Sequence, residues 1–169
     1  MKTIIIYATK YGFTEECVSE LKNQLDGDVL AVDVQKDTIS SLDAFDQIII
    51  GGSIYMGQIN KKLRLFCESN IEAIGAKRLG LFLCCGLAEN FEQSMSNAFP
   101  SQLIEKAASR ECFGGQLRTE IMKGPDRLIT NMMKKATANQ GRPEATKLGE
   151  NINRMAADMN LRQEKGIKS

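Results

Sequence analysis

The chain has 169 residues, 43% of them apolar, with 22 Lys and Arg against 21 Asp and Glu, and it contains five Cys but neither His nor Trp. That size suits a single domain, 1–169, large enough to bury a proper core without disulfides or a structural metal. The missing His excludes Ser-His-Asp and Cys-His catalysis, the common zinc ligand sets and an imidazole switch, while near-neutral charge argues against a nucleic-acid partner. Chemistry here is expected to reside in a bound group.

In chain order, residues 3–8 form the first short apolar run, of the kind that makes a buried parallel strand. Cys17, Val18, Leu21 and Leu25 then recur at helical spacing before a stop at Gly27, and a second run covers 29–34. Together they read as a βαβ unit. A third run at 47–51 precedes Asn60, which is placed to cap a helix with Leu63, Phe66, Cys67 and Ile71 inward. Runs at 79–85 and, more weakly, 111–117 follow. Pro143 opens a last helix with Ala145, Leu148, Ile152, Met155, Ala156 and Met159 inward. Five alternations of strand and helix predict an α/β doubly wound parallel sheet of order 2-1-3-4-5, with ligands beyond the carboxyl ends of strands 1, 3 and 4. Residues 118–142 form a connection far longer than the few residues usual there, and so read as a functional or disordered insertion after strand 5.

Three segments fall at those carboxyl ends. Thr9-Lys10-Tyr11-Gly12-Phe13-Thr14 brings two hydroxyls, a Gly and successive main-chain amides to a helix mouth, which suits a phosphate. It lacks the Gly-Lys-Ser/Thr of a triphosphate loop and the Gly-x-Gly-x-x-Gly of a dinucleotide turn, so a terminal phosphomonoester fits better. The plainer alternative is a helix capped by Thr14, with Gly12 serving only the turn. Gly51 to Gln58 and Cys85 to Asn90 supply glycines for close approach, together with the large faces of Tyr55 and Met56. Convergence of all three suits a planar, phosphorylated heteroaromatic ligand.

On these residues the sequence resembles the flavodoxin superfamily: Thr9-x-x-Gly12-x-Thr14 looks like its FMN phosphate loop and Gly51 to Gly57 like its first isoalloxazine loop. Within the superfamily it is most similar to menaquinone-dependent protoporphyrinogen oxidases, through Gly51-x-Ser53-Ile54-x-x-Gly57 and the insertion after strand 5. The resemblance implies a flavodoxin-like fold and an FMN-dependent oxidoreductase, quinone- or porphyrinogen-linked, in which no side chain is catalytic and the flavin carries the reaction. It implies that Thr9, Lys10, Tyr11, Gly12, Phe13 and Thr14 hold the phosphate. Ser53, Ile54, Tyr55, Met56 and Gly57 then pack one side of the ring, and Cys85, Gly86, Leu87 and Ala88 reach its pyrimidine part. Flavodoxins stack an aromatic residue in the last loop, whereas this chain offers none before Phe91. With only Glu89 as an acid in these loops, and Lys10 nearby, two-electron chemistry is expected over one-electron shuttling.

The insertion sets Arg118, Lys123, Arg127, Lys134, Lys135 and Arg142 against Glu120 and Asp126, a net of +4. After Gly124-Pro125-Asp126, one helical face carries Leu128, Ile129, Met132, Met133 and Ala136. Such a basic, Met-rich face suits an anionic membrane surface, a quinone or a redox partner, against the plainer reading that it packs on the domain. Cys17, Cys67, Cys84, Cys85 and Cys112 lack CxxC spacing and are expected to be reduced and structural, with no metal site. The run Ile4 to Ile6 is too short for a signal-peptide core and no stretch is apolar for a full span, which points to a cytoplasmic protein, peripheral at most to the inner face of the membrane. Three other readings share this fold pattern. A phosphorylation receiver needs an Asp where strand 3 here ends in Gly51-Gly52-Ser53, and is set aside; a soluble electron carrier and a flavin-free docking module stay open.

Overall fold

The computed structural model describes residues 1–86, 88–116, 118–140 and 146–161. Five parallel strands, β1 (Lys2–Ala8), β2 (Asp28–Asp33), β3 (Gln47–Ser53), β4 (Arg78–Cys84) and β5 (Ser109–Cys112), lie in the order β2-β1-β3-β4-β5. This is the expected doubly wound sheet. Its centre is dictated by β-branched and Leu-rich runs that have no polar face: Ile4, Ile5 and Ile6 in β1 and Ile48, Ile49 and Ile50 in β3 are all buried.

Because side chains alternate along a strand, those runs feed two separate cores. Ile4, Ile6, Ile48, Ile50, Leu79, Leu81 and Leu83 face one side, and Ile5, Tyr7, Ile49 and Phe82 face the other. The first side is covered by α2 (Lys61–Ser69), α3 (Ile71–Gly75), α4 (Phe91–Ala98) and α5 (Ser101–Lys106), through residues such as Leu63, Cys67, Ile74, Met95 and Leu103. The second is covered by α1 (Phe13–Gln24) and α7 (Gly149–Asn160), through Cys17, Val18, Leu21, Ile152, Met155 and Met159. Asn60 caps α2 as expected, its Oδ1 accepting from the amides of Lys62 at 2.9 Å and Leu63 at 3.3 Å.

Three expectations are corrected. The weak fifth run at 111–117 forms a strand that starts earlier and ends at Cys112, because Gly114 turns the chain at φ 77° and the position of its missing Cβ lies 2.0 Å from the Thr146 carbonyl oxygen. Leu117 is outside the described residues. Ile71 heads α3 instead of extending α2, since the chain breaks at Asn70. The last helix begins at Gly149, while Pro143 and Ala145, assigned to its start, lie outside the described residues. The insertion contains a fifteen-residue helix, α6 (Pro125–Asn139), that starts at the Gly124-Pro125-Asp126 signal.

Of the strand glycines Gly51, Gly52 and Gly80, Gly51 is the most closely enclosed. A Cβ there would lie 2.4 Å from the Phe82 ring and from the Phe82 carbonyl oxygen, and Phe82 is itself stacked on Phe113 at 4.5 Å. Gly51→Ala should therefore lower the urea midpoint by the equivalent of roughly 3 kcal/mol, the upper end of overpacking costs, with little change in slope. Gly57→Ala, in open space at φ 75°, should cost only about 1 kcal/mol. Equal midpoints for the two variants would contradict this packing.

Candidate functional site

Register decides which loops meet. Tyr7 pairs with Gly51 and Ala8 with Gly52, while Gly52 pairs with Leu83 and Ser53 with Cys84. The carboxyl ends of β1, β3 and β4 are therefore level, and the segments that follow them emerge side by side.

The first segment is wound around Gly12, which is the N-cap of α1 at φ 84° and brings no capping side chain. The amides of the first turn of α1 have no intrahelical acceptor, so they are presented outward with the positive end of the helix. Thr9 closes the loop by accepting the Gly12 amide on Oγ1 at 3.0 Å, and Gln35 braces it from β2's side by donating Nε2 to the Thr9 carbonyl at 2.6 Å. Phe13 and Thr14 are buried, Phe13 in the α1 core. The capping alternative for Thr14 is thereby overturned, because Thr14 lies inside the first turn and its Oγ1 has no hydrogen-bond partner of good geometry, although the neighbouring Cys84 thiol feels its presence. A buried hydroxyl without a committed partner, in a loop of outward amides, is a donor set that fits a phosphate.

The second segment is a tight reversal. Tyr55 and Gln58 exchange main-chain hydrogen bonds of 2.9 and 3.1 Å, and the two residues between them, Met56 at φ 52° and Gly57 at φ 75°, are both left-handed, as in a type I′ turn. Met56 holds that conformation at a cost that Gly would avoid, and it is 61% exposed at the tip. Ile54 donates its amide to the Cys84 carbonyl at 2.9 Å, tying this loop to the end of β4. Ser53 is the half-buried last residue of β3. In the third segment Cys85 is buried, Gly86 is exposed, Leu87 is outside the described residues, and Ala88 begins a short 3-10 turn, Ala88–Asn90.

Sequence reasoning missed the residue that links the first two loops. Asp126, in the first turn of α6, receives Lys10 Nζ at 2.8 Å, the Tyr55 hydroxyl at 2.6 Å and the Tyr11 hydroxyl. Lys10 Nζ also lies 3.5 Å from the Tyr55 ring centroid. Hydrogen bonds from Lys10, then Tyr11 and Tyr55, hold the Asp126 carboxyl far below the usual carboxylate range. Partial burial and the bond to Asp126 raise Tyr11 to about 12. Arg118 makes a second link, with a 2.6 Å ion pair to Glu16 and Nη1 at 3.4 Å from the Tyr11 carbonyl, beside Gly12. Both residues were visible in the sequence only as charges in a long connection; nothing local marks them as partners of loops 71 to 115 positions away.

Among the described residues none of α6 belongs to either core, and on the face expected to pack or dock Leu128 is 65%, Met132 64% and Met133 56% exposed. Core packing of this face is not observed; Ile129 is half-buried and Thr130 is buried. A depression of about 410 Å³ lined by Gln35, Asn60, Lys61, Lys62 and Leu65 contains none of the expected site residues. Among the described residues no acidic, Cys or His cluster could hold a metal, and no helix is long and apolar enough to cross a membrane.

Asp126→Ala should detach α6 while leaving the sheet intact, seen as roughly tenfold faster native-state tryptic cleavage after Arg127, Lys134 and Lys135 without loss of far-UV signal. The wild-type contact should be insensitive to pH across the middle range. The Asp126 carboxyl is depressed, so its contribution is present above the usual carboxylate pKa and fades only as pH falls through a lower value. The Tyr11 proton is retained until pH approaches about 12. Cleavage that accelerates between about pH 5 and 9, after correction for protease activity, would contradict this assignment.

Residues 4–144 match the family described as Flavodoxin domain, which is most of the chain. Among solved structures, a flavodoxin from Streptococcus pneumonia TIGR4 is 14% identical, with a TM-score of 0.58 over 94% of this chain and 97% of that one. A short-chain flavodoxin associated with a non-canonical PDU bacterial microcompartment is 13% identical, with a TM-score of 0.58 over 94% and 96%. A Fusobacterium nucleatum flavodoxin mutant bound to flavin mononucleotide is 16% identical, with a TM-score of 0.45 over 64% of this chain and 66% of that one, slightly under two thirds of its length. No curated protein matches by sequence. A level-ended 2-1-3-4-5 sheet and a family match over 4–144 establish that the chain belongs to the flavodoxin-domain family.

Proposed function

We propose that this protein binds FMN across its three carboxyl-end loops and passes electrons or hydride between the flavin and a redox partner. The observation that carries the reading is the Gly12-capped mouth of α1, level with the Tyr55 to Gln58 turn and the Cys85 to Ala88 segment in a flavodoxin-domain chain. Bound FMN supplies reversible one- and two-electron chemistry that no side chain here offers.

The remaining work falls to the chain. Main-chain amides of Lys10, Tyr11, Phe13 and Thr14, the Thr9 hydroxyl and the buried Thr14 hydroxyl orient the phosphate, and the Gly12 turn, closed by its amide on Thr9 Oγ1, admits it closely. Ser53 to Gly57 wall one side of the ring, and Cys85, Gly86 and Ala88 approach with main-chain groups. Lys10 and Arg118 place cations at the mouth, answered by Asp126 and Glu16. Of the three loops only the last carries an acid, Glu89 at its far edge, so little like charge opposes reduction of the ring and two-electron transfer is the favoured mode.

A finer reading follows from the Gly51-x-Ser53-Ile54-x-x-Gly57 stretch and from α6: a quinone- or porphyrinogen-linked oxidoreductase that works at the cytoplasmic face of a membrane. The exposed Leu128, Met132 and Met133, flanked by Arg127 and Lys135, support contact with anionic lipid. A soluble electron carrier is the second reading, favoured by the two flavodoxins of near-equal length that share the fold.

The purified protein should show an oxidised-flavin absorption spectrum and bind FMN with quenching of its fluorescence. Thr14→Ala should weaken binding by roughly ten- to a hundredfold, the worth of one hydrogen bond to a charged group, and Gly12→Val should weaken it at least as much by blocking the turn. Equal affinity in both variants and the wild type would overturn the phosphate assignment. Sedimentation with phosphatidylserine vesicles should be salt-sensitive and fall by roughly one to two decades in an Arg127→Gln, Lys135→Gln double variant, at about 1 kcal/mol for each cation. Wild type left in the supernatant at low salt would favour the soluble carrier.

A further inference from the structure

The thiols of two of the five cysteines form a feature to which the proposed flavin site assigns no role, since Cys85 approaches the ring there through its main chain. Cys85 opens the third loop and Cys112 ends β5, and their sulfur atoms lie 3.3 Å apart in the core between the two strand exits. Both residues are buried, and no disulfide links any of the five cysteines. The strand exits are themselves in contact: a Cβ on Gly115 would lie 2.9 Å from the Gly86 nitrogen and 3.2 Å from the Cys85 carbonyl carbon. Closing the sulfur pair to the ~2.05 Å of a disulfide requires a relative movement of only about 1.2 Å, within reach of small χ1 rotations.

We infer that Cys85 and Cys112 are a reversible redox-active dithiol, a second two-electron site of the protein that is oxidised by a small hydroperoxide. The attacking sulfur is Cys112. It shares the S–H···S hydrogen bond with Cys85 and accepts a main-chain hydrogen bond from Gly114, which favour its thiolate against the opposing pull of its burial, whereas the pairing and burial both disfavour ionisation of Cys85; as a neutral thiol, Cys112 donates instead toward the Cys85 carbonyl at 3.8 Å. The Cys112 thiolate attacks one oxygen of hydrogen peroxide, the O–O bond breaks, and hydroxide leaves and takes up a proton as water. The Cys85 sulfur then attacks the Cys112 sulfenic acid, the S–S bond forms and a second water departs. Two thiols and one peroxide become one disulfide and two waters; sulfur loses the two electrons that the peroxide gains. A dithiol reductant such as dithiothreitol reverses the change by exchange.

The other thiols make the pairing specific. Cys84 faces the opposite core, where burial and a hydrogen bond with Cys17 push it up, and Cys67 is buried on α2 with its thiol raised by desolvation to about 12. Neither setting favours a thiolate.

The full-length protein, treated with a few equivalents of hydrogen peroxide, quenched with N-ethylmaleimide under denaturing conditions and digested, should lose about 2 Da and two alkylatable thiols. The linked peptide should join Cys85 to Cys112, form at least roughly tenfold faster than any modification of Cys67, and disappear with dithiothreitol. Cys85→Ser and Cys112→Ser should each abolish the linkage, and Cys67→Ser should leave it unchanged. Mapping on the wild-type protein decides the question even if a serine variant folds poorly. A dominant Cys17–Cys84 or Cys84–Cys85 disulfide, sulfinic acid on Cys112 with Cys85 still reduced, or five intact thiols under conditions that oxidise a small free thiol would each overturn the proposal.

Discussion

Burial of β1, β3 and β4 on both faces is the constraint from which the site follows. Each strand must present an unbroken apolar run, so a slip of one residue would exchange the contents of the two cores, and the register is held tightly. That register makes Ala8, Gly52, Ser53 and Cys84 neighbours at one rim of the sheet. The glycines of β3 serve the same end, since the sheet is so close-packed at Gly51 that a methyl group would meet Phe82. A rigid rim is what allows loops of modest length to be aimed at one ligand.

Above the rim, conformational cost is concentrated where a ligand would lie. Gly12 and the Met56-Gly57 pair are left-handed, and the Thr14 hydroxyl is buried without a well-formed hydrogen bond. Each departs from what stability alone would select. The insertion is joined to this region mainly through charge-assisted contacts to Asp126 and Arg118, with an apolar face turned outward. A helix held mainly through its first turn, with Leu128, Met132 and Met133 turned outward, opens more readily than one seated in the core, and its point of attachment is the pair of loops that carry Lys10, Tyr11 and Tyr55.

The elements were largely legible in the chain because periodicity records burial. Continuous Ile and Leu runs marked the central strands, the Cys17, Val18, Leu21 spacing marked α1, and Asn60 marked the start of α2. The misreadings fell where pattern is weak. β5 is a short edge strand with exposed Arg110 in its middle, and its end is set by a contact between Gly114 and Thr146 that no local signal announces. Thr14 has the composition of a cap, yet Gly12 takes that position because only the left-handed turn brings the loop back over the end of the strand.

By itself, then, the sequence determined the sheet, its order and the three loops at its carboxyl rim, since each rests on interactions between residues near in the chain or on the burial period of a single element. Tertiary structure alone decided what those loops meet. Tyr11 and Tyr55 converge on Asp126, Arg118 reaches Glu16 and the Tyr11 carbonyl, and Cys85 faces Cys112, through pairs separated by 27 to 115 positions in sequence. Such pairs carry no periodic signature, because a carboxylate or a thiol looks the same in the sequence whether it faces water or a partner, and only the folded path of the chain chooses between them.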